Sequence, residues 1–595
     1  MRRSRTAAVR LGVLLVGAAL AVSGCSGGGT GAGTADAGKP QRGGTLRVIG
    51  SGDVDHMDTA AAYYTVSFSL QRLFTRQLYA TPNKPGLDAQ ETPVPDLASG
   101  MPEVSDDLKT YTINLREGAM WDTNPPRQVT AEDAVLGFKR LCNPVQPSGA
   151  IAYYTDTIVG MSEYCDAFAK VPPKVPQIKE FITTHDVEGI KAVDELTLEI
   201  ELIKPASDFL NILALPFSSP APEEYLDYLP DGAEFRQNLI SDGPYSITSY
   251  KPGKHIMLER NPAWDASTDP VREAYVDKVE IMQGFPDAST ALQRVQAGEA
   301  DLFWDQVVPA AQLAGLRVSK DSGLVIGPDA YYSMNPYLAI NLRSPNNDGA
   351  LKNVKVRQAL QYAVDKVAVS QVYGGPAISQ PLDQAVPGGS GGFIDGYDPY
   401  PTPGDEGDPA KAKQLLKEAG YEPGEITLKM PFRTNSVHPQ VGQTIQASLA
   451  KAGFDVKLFP VQPDPFYTEY LQNPDAGARG EWDIAGPGWV PDWVGNNGRS
   501  IISPLYDGRH YGPGSTNYGG YNSAAVNNGI DEALTAASPD EAEQLWETVN
   551  KQVMEDAVIV PLAQQKVAVY KSSRLGGCNF MFFSTNCDFP NVWVR

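Results

Sequence analysis

Histidine, basic charge and long apolar runs are all scarce in this 595-residue chain. Its five histidines are scattered, and no H-E-x-x-H segment, C-x-x-C pair or glycine-rich phosphate loop occurs. Zinc, nucleotide cofactors and metal-assisted hydrolysis therefore have no sequence support, and neither catalysis nor a bound cofactor is expected. One formal hydrolase motif exists, Gly388-Gly389-Ser390-Gly391-Gly392. That motif needs a strand before it and a helix after it; here Pro387 precedes it and a Gly/Asp/Pro-rich stretch follows, so it reads as a loop. Lys and Arg number 49 against 71 Asp and Glu, a net charge of −22 that argues against nucleic acid as a partner.

Only the first segment is strongly apolar. Arg2, Arg3, Arg5 and Arg10 precede the run Leu11 to Val22, which is shorter than the roughly 20 residues that span a hydrocarbon core. Val22-Ser23-Gly24-Cys25 follows, which resembles the lipobox of exported bacterial lipoproteins, whose cysteine is lipidated and becomes the mature N-terminus. Residues 1–24 are read as the signal peptide. Residues 25–42, mostly Gly, Ala, Thr and Ser, are read as a lipidated flexible linker that builds no core. The expected location is the outer face of the cell membrane, with the membrane touched through the lipid anchor alone.

With Cys25 set aside, Cys142, Cys165, Cys578 and Cys587 form an even set suited to an oxidising compartment. Three connectivities are open, and neighbour pairing, Cys142–Cys165 and Cys578–Cys587, is the simplest. The remaining length exceeds what one hydrophobic core supports, so at least two lobes are expected.

Strand and helix patterns alternate along the chain. Leu46 and Val48 share one face of a strand at Gly44 to Ile49; Tyr111, Ile113 and Leu115 alternate, as do Leu196, Leu198, Ile200 and Leu202. Thr130 with Asp133 forms a capping-box pattern. Asn353 to Tyr373 carries one apolar stripe; Asp408-Pro409 opens and Gly420 closes a further helix; Ser538 to Glu541 opens another. This rhythm predicts α/β lobes with mainly parallel sheets. His56 and His185 are read as solvated loop residues. Pro- and Gly-rich stretches at 81–95, 387–407 and 486–520 break the rhythm.

Several phrases in order resemble one family, the extracellular solute-binding proteins of family 5, the peptide- and nickel-type receptors of ABC importers. They are Gly43-Gly44-Thr45-Leu46 with Asp53 to Asp58; Tyr111 to Gly118 with Trp121 and Thr130 to Asp133; Asp242-Gly243-Pro244-Tyr245; Glu259-Arg260-Asn261-Pro262; and Val356 to Leu360 with Ala363 and Asp365. The resemblance implies a two-lobed periplasmic-binding-protein clamp of the cluster C type, with an extra subdomain in lobe I. It places lobe I at 43–335 with the subdomain at about 91–220, lobe II at 336–562, and a return to lobe I at 563–595. The lobe-joining segments should fall near Tyr332 to Leu342 and Val560 to Tyr570. Implied partners are a peptide ligand and an ABC permease with its ATPase, and the protein is expected to be a monomer. A receptor for an oligosaccharide or metal chelate, or a surface sensor of the same fold, is the alternative.

Within that family, a phrase similar to Gly488-Trp489-Val490-Pro491-Asp492-Trp493 supplies the carboxylate that pairs with a peptide α-ammonium, so Asp492 is the expected anchor. Trp489 and Trp493 are expected to wall the pocket. Arg433 and His438, in the loop expected between the strand Thr427 to Pro431 and the helix from Val441, are candidates for holding the ligand carboxylate. A charge buried in a closing cleft must be paired or it costs several kcal/mol.

Overall fold

Alternation makes Thr45–Ile49 a strand with Leu46 and Val48 fully buried and Arg47 facing out. The structure, a computed structural model, describes residues 38–595 apart from 329 and 537. The signal peptide, Cys25 and the linker as far as residue 37 lie outside the described residues.

Thr45–Ile49 belongs to a five-stranded sheet ordered Tyr245–Lys251, His255–Arg260, Lys278–Met282, Thr45–Ile49, Leu302–Phe303. A second sheet joins Glu103–Val104, Thr110–Asn114, Thr197–Glu201 and Ile190–Ala192, all antiparallel. The expectation of mainly parallel sheets is not met. Among the described residues, three strand pairs are parallel and the other fourteen antiparallel. Parallel neighbours need a crossover. Helices provide one between Thr427–Arg433 and Asp455–Val461, and another, around Thr45–Ile49, between Lys278–Met282 and Leu302–Phe303. The other strands pair through hairpins or long returns.

Caps fix the helices where the sequence places them. Thr130 accepts from the Asp133 amide while Asp133 reaches back to the Thr130 amide at 2.9 Å. Asp408 accepts from Ala410 and Lys411, and Gly420 takes φ +92° beyond that helix's end. The stripe over 353–373 is two helices rather than one, Val354–Ala363 and Lys366–Val372. Val364 is extended, and Asp365 caps the second helix by accepting from Ala368 at 2.8 Å. The stretch 486–520 is not all loop either, because it holds the fully buried helix Gly498–Tyr506. His56 is not solvated: its Nδ1 lies 2.6 Å from Asp231, and although burial opposes the charge, that hydrogen bond and nearby carboxylates raise its pKa.

Separate apolar clusters underlie the two halves. Leu46, Val48, Leu258 and Ile281 pack in one; Leu338, Ile340, Leu360, Leu428 and Ile445 pack in another. Each such side chain contributes about 1.5–3 kcal/mol by leaving water. The cysteines pair as neighbours, Cys142–Cys165 and Cys578–Cys587, with Cα atoms 5.3 and 4.8 Å apart. The two described ends of the chain meet: Trp593–Val594 pairs with Leu575–Gly576, Gly44 sits against Val594, and Gly38 against Trp593 and Arg595. No helix among the described residues is long and apolar enough to cross a membrane.

The expected crossing segments lie side by side. Ser333–Met334 and Tyr337–Ile340 run antiparallel to Ala563–Gln565 and Ile559–Pro561. Ile484–Ala485 pairs along Tyr337–Ile340, and Trp489 then bridges to Met334. This ladder delivers the turn carrying Asp492 to the interior.

Candidate functional site

A cavity of about 290 Å³ opens between segments from both halves of the chain. Aromatic side chains form part of its walls, among them Tyr63, Tyr64, Trp304, Tyr467, Trp489 and Tyr518. Asp492, Trp489, Arg433 and His438 all line it. Trp493 does not: it borders a neighbouring void of about 20 Å³ and packs into the apolar cluster of the 111–235 region, with its indole N–H donated to the Asn496 carbonyl at 2.7 Å.

Asp492 is 6% exposed and has no cation beside it among the described residues. One oxygen accepts from the Tyr63 hydroxyl at 2.8 Å and the Tyr153 hydroxyl at 2.6 Å. Burial pushes its pKa up to about 7, although both hydrogen bonds pull the other way. Burial and the adjacent carboxylate push both phenols well above their ordinary range, so they remain donors. Trp489 is held by its indole N–H to the Ser500 carbonyl at 2.9 Å and meets the Tyr63 ring edge-on at 5.6 Å.

Arg433 and His438 flank the other part of the cavity. The strand runs to Arg433 and the helix begins at His438, so neither sits in the middle of a loop as expected. The guanidinium lies 5.3 and 5.4 Å from the Phe466 and Tyr467 rings and donates weakly to the Gly486 carbonyl at 3.5 Å. Its Nε has no partner, and no carboxylate among the described residues pairs with it. Enclosure and the Arg433 charge hold the His438 pKa well below its ordinary value, leaving a neutral ring.

Several further buried polar atoms on the cavity wall lack partners: Trp304 Nε1, Asn335 Oδ1, Tyr373 OH, Asn435 Oδ1 and Gln565 Nε2. These atoms give the cavity wall a set of donors and acceptors that no other protein group among the described residues uses. Outside the cavity, Asp383, Asp398 and Asp405 converge, as do Asp156, Asp507 and His510. Each group already holds a cation, Lys366 at 2.6 Å from Asp383 and Arg509 at 2.6 Å from Asp507, which accounts for the clustering without a metal.

Sequence reading did not find the tyrosines. Tyr63-Tyr64 and Tyr153-Tyr154 are doublets near short or irregular elements, and that placement was the one local signal available.

A cavity between two chain halves, joined by paired crossing strands and lined with unpaired charges, defines a solute-binding clamp of two lobes. Residues 92–512 match the family described as bacterial extracellular solute-binding proteins, family 5 Middle, and the chain belongs to it. It is 30% identical over 418 residues to the dipeptide-binding protein of Escherichia coli K12, covering 67% of this chain and 68% of that one. To the heme-binding protein A of Haemophilus influenzae it is 28% identical over 502 residues, 80% of each. Among solved structures, clavulanic acid biosynthesis oligopeptide binding protein 2 aligns with a TM-score of 0.75 at 28% identity, over 93% of this chain and 96% of that one. The Escherichia coli murein tripeptide binding protein aligns at 0.77 and 21% identity, over 93% and 99%, a likeness of fold.

Proposed function

We propose that this protein captures short peptides with free termini between its lobes and hands them to an ABC permease and its ATPase, working as a monomer held to the membrane through Cys25. One observation carries the reading: a buried carboxylate without a cation, Asp492, and a guanidinium without an anion, Arg433, line the same cavity. A zwitterion satisfies both. The names of the Escherichia coli and clavulanic acid relatives support a peptide. At about 290 Å³ the cavity lies at the lower edge of the usual 300–1,000 Å³ for ligand pockets, which favours di- and tripeptides over longer chains. In this proposal 43–335 and 563–595 form one lobe, including the subdomain at about 91–220, and 336–562 the other. Tyr63 and Tyr153 then approach Asp492 from the opposite lobe, and closure removes water from the charge pair.

Calorimetry with alanyl-phenylalanine, its N-acetyl form and its C-terminal amide tests this. The free peptide should bind, acetylation should weaken binding at least 100-fold, and amidation should weaken it about 10-fold, the scale of a charge-assisted hydrogen bond. Arg433→Gln should bind the free and amidated peptides alike. Equal binding of the acetylated and free peptides sinks the reading.

A metal chelate is the second reading, favoured by the neutral His438 ring in the cavity and by the likeness to heme-binding protein A. A Soret shift on haem titration that disappears in His438→Ala would move the assignment there. The anchor is tested apart from the ligand: Cys25→Ala should leave peptide affinity unchanged while moving the protein from the membrane fraction to the medium. Retention in the membrane would exclude Cys25 as the attachment point.

A further inference from the structure

Arg499 does not line the cavity, yet it grips a residue that completes the anchor. It stands on the helix Gly498–Tyr506, seven positions beyond Asp492, and is 3% exposed despite its charge. Its guanidinium leaves that segment and enters the 150–210 region. Nη2 donates to Thr157 Oγ1 at 2.6 Å and to the Tyr153 carbonyl at 3.2 Å, and Nη1 lies 3.4 Å from Asp208 Oδ1. Cζ stands 5.6 Å over the Tyr153 ring, and Trp493 packs edge-on against the same ring at 5.2 Å.

Tyr153 is therefore held by two side chains from the segment that carries Asp492, and its hydroxyl is donated back to Asp492 at 2.6 Å. An arginine this deeply buried needs partners to offset its desolvation. Asp208 alone could supply the charge. The bonds to Thr157 and Tyr153 do something more, because they fix the ring and turn whose hydroxyl must reach the carboxylate within a few tenths of an ångström. Supporting residues of this kind decide whether a binding group is held in productive geometry. Two neighbouring contacts run the same way across the gap, Asn496 Nδ2 to Ser207 Oγ at 3.2 Å and His510 Nε2 to Asp156 Oδ2 at 3.1 Å.

We infer that Arg499 is a positioning residue for ligand capture: from one lobe it orients Tyr153 on the other, so that the second donor reaches Asp492 only when the clamp is shut. The inference rests on the peptide reading above. Opening the clamp would withdraw both tyrosine donors from Asp492. Closure by Arg499 then assembles the anchor around it.

A double-mutant cycle with alanyl-phenylalanine as probe tests this. Tyr153→Phe and Arg499→Gln should each weaken binding about 10-fold, the scale of one hydrogen bond to a charged group. In the Tyr153→Phe background, Arg499→Gln should add less than about twofold, and Arg499→Lys should recover part of the loss in the otherwise native protein. Should Arg499→Gln not fold, as judged by its unfolding transition, Thr157→Val takes its place by removing the shortest bond to the guanidinium. Two results overturn the inference: unchanged affinity in the Arg499 variants, or factors that simply multiply in the double variant. Asp492→Asn is measured beside them. If it binds as the native protein does, the peptide reading fails; if it loses binding while Arg499→Gln does not, only the inference fails.

Discussion

Asp492→Asn is expected to weaken binding of a free-amine dipeptide by about 30- to 5,000-fold, the loss of about 2–5 kcal/mol that follows removal of one partner from a buried charge pair. The same substitution should stabilise the ligand-free protein at pH 7 to 8. The two effects share one cause. In the unfolded chain this carboxyl ionises near 3.9, whereas burial without a cation pushes it up to about 7 in the closed protein. Between those values the folded state holds one more proton than the unfolded state, so stability falls as pH rises from about 4 to about 7. Asparagine does not titrate, and that loss disappears. Affinity runs the other way. Below about pH 7 an ammonium must displace the proton, so native affinity should rise from pH 5 to about pH 7, a range in which the peptide amine stays protonated, while the variant's stays flat. Thermal unfolding and calorimetry across this range decide the matter. A variant that is less stable at pH 8 and still binds normally would make Asp492 a structural residue.

Asp96→Asn should produce the largest loss of stability, about 3–5 kcal/mol, because it leaves two buried guanidinium groups with one carboxylate, Asp269, between them. Arg76 Nε and Arg272 Nη1 each lie 2.8 Å from Asp96, and all three side chains are fully buried. Asp269 joins at 3.3 Å from Arg272; burial works against its charge, but Arg272 and Arg76 hold its pKa below the ordinary value. A third carboxyl, Asp242, accepts from the Arg76 amide at 3.0 Å and is pushed up to about 8 by burial. At neutral pH it is protonated, so two arginines face two carboxylates and the cluster is balanced. Asp242→Asn should therefore cost under about 1 kcal/mol, the neutral group being replaced by a neutral near-isostere. Urea unfolding followed by tryptophan fluorescence separates the two variants. Equal losses would show that Asp242 is ionised. The cluster follows the helix Thr65–Phe74, whose first turn sets Tyr63 and Tyr64 against the cavity, so its failure should also disturb the site.

The sequence disclosed what short-range chemistry dictates. Thr130, Asp408 and Gly420 mark helix ends because capping and left-handed backbone are decided within a few residues. Asp365 was equally legible as a cap, but the apolar stripe around it concealed the break at Val364. Strand direction was less accessible, since pairing partners such as Thr45–Ile49 and Lys278–Met282 lie more than 200 residues apart. At the site, the family phrase pointed to Asp492 and Trp489, both of which border the cavity. Trp493 was expected there too, but two large rings separated by three residues on a tight turn face different sides, and this one turns into the neighbouring apolar cluster. Tyr63 and Tyr153 reach Asp492, and Arg499 reaches Tyr153, from elements with no local signature, and only the fold brings them together.

The meeting of Gly38 with Trp593 and Arg595 has a practical consequence. Ends that lie side by side on a folded surface tolerate being joined and the chain reopened elsewhere. A short glycine link from Arg595 to Gly38, with residues 1–37 removed and new ends at the exposed turn around Gly404, would yield a rewired chain in which a fluorescent pair reports ligand capture. A reporter fused at Arg595, by contrast, would crowd the neighbourhood from which the linker departs.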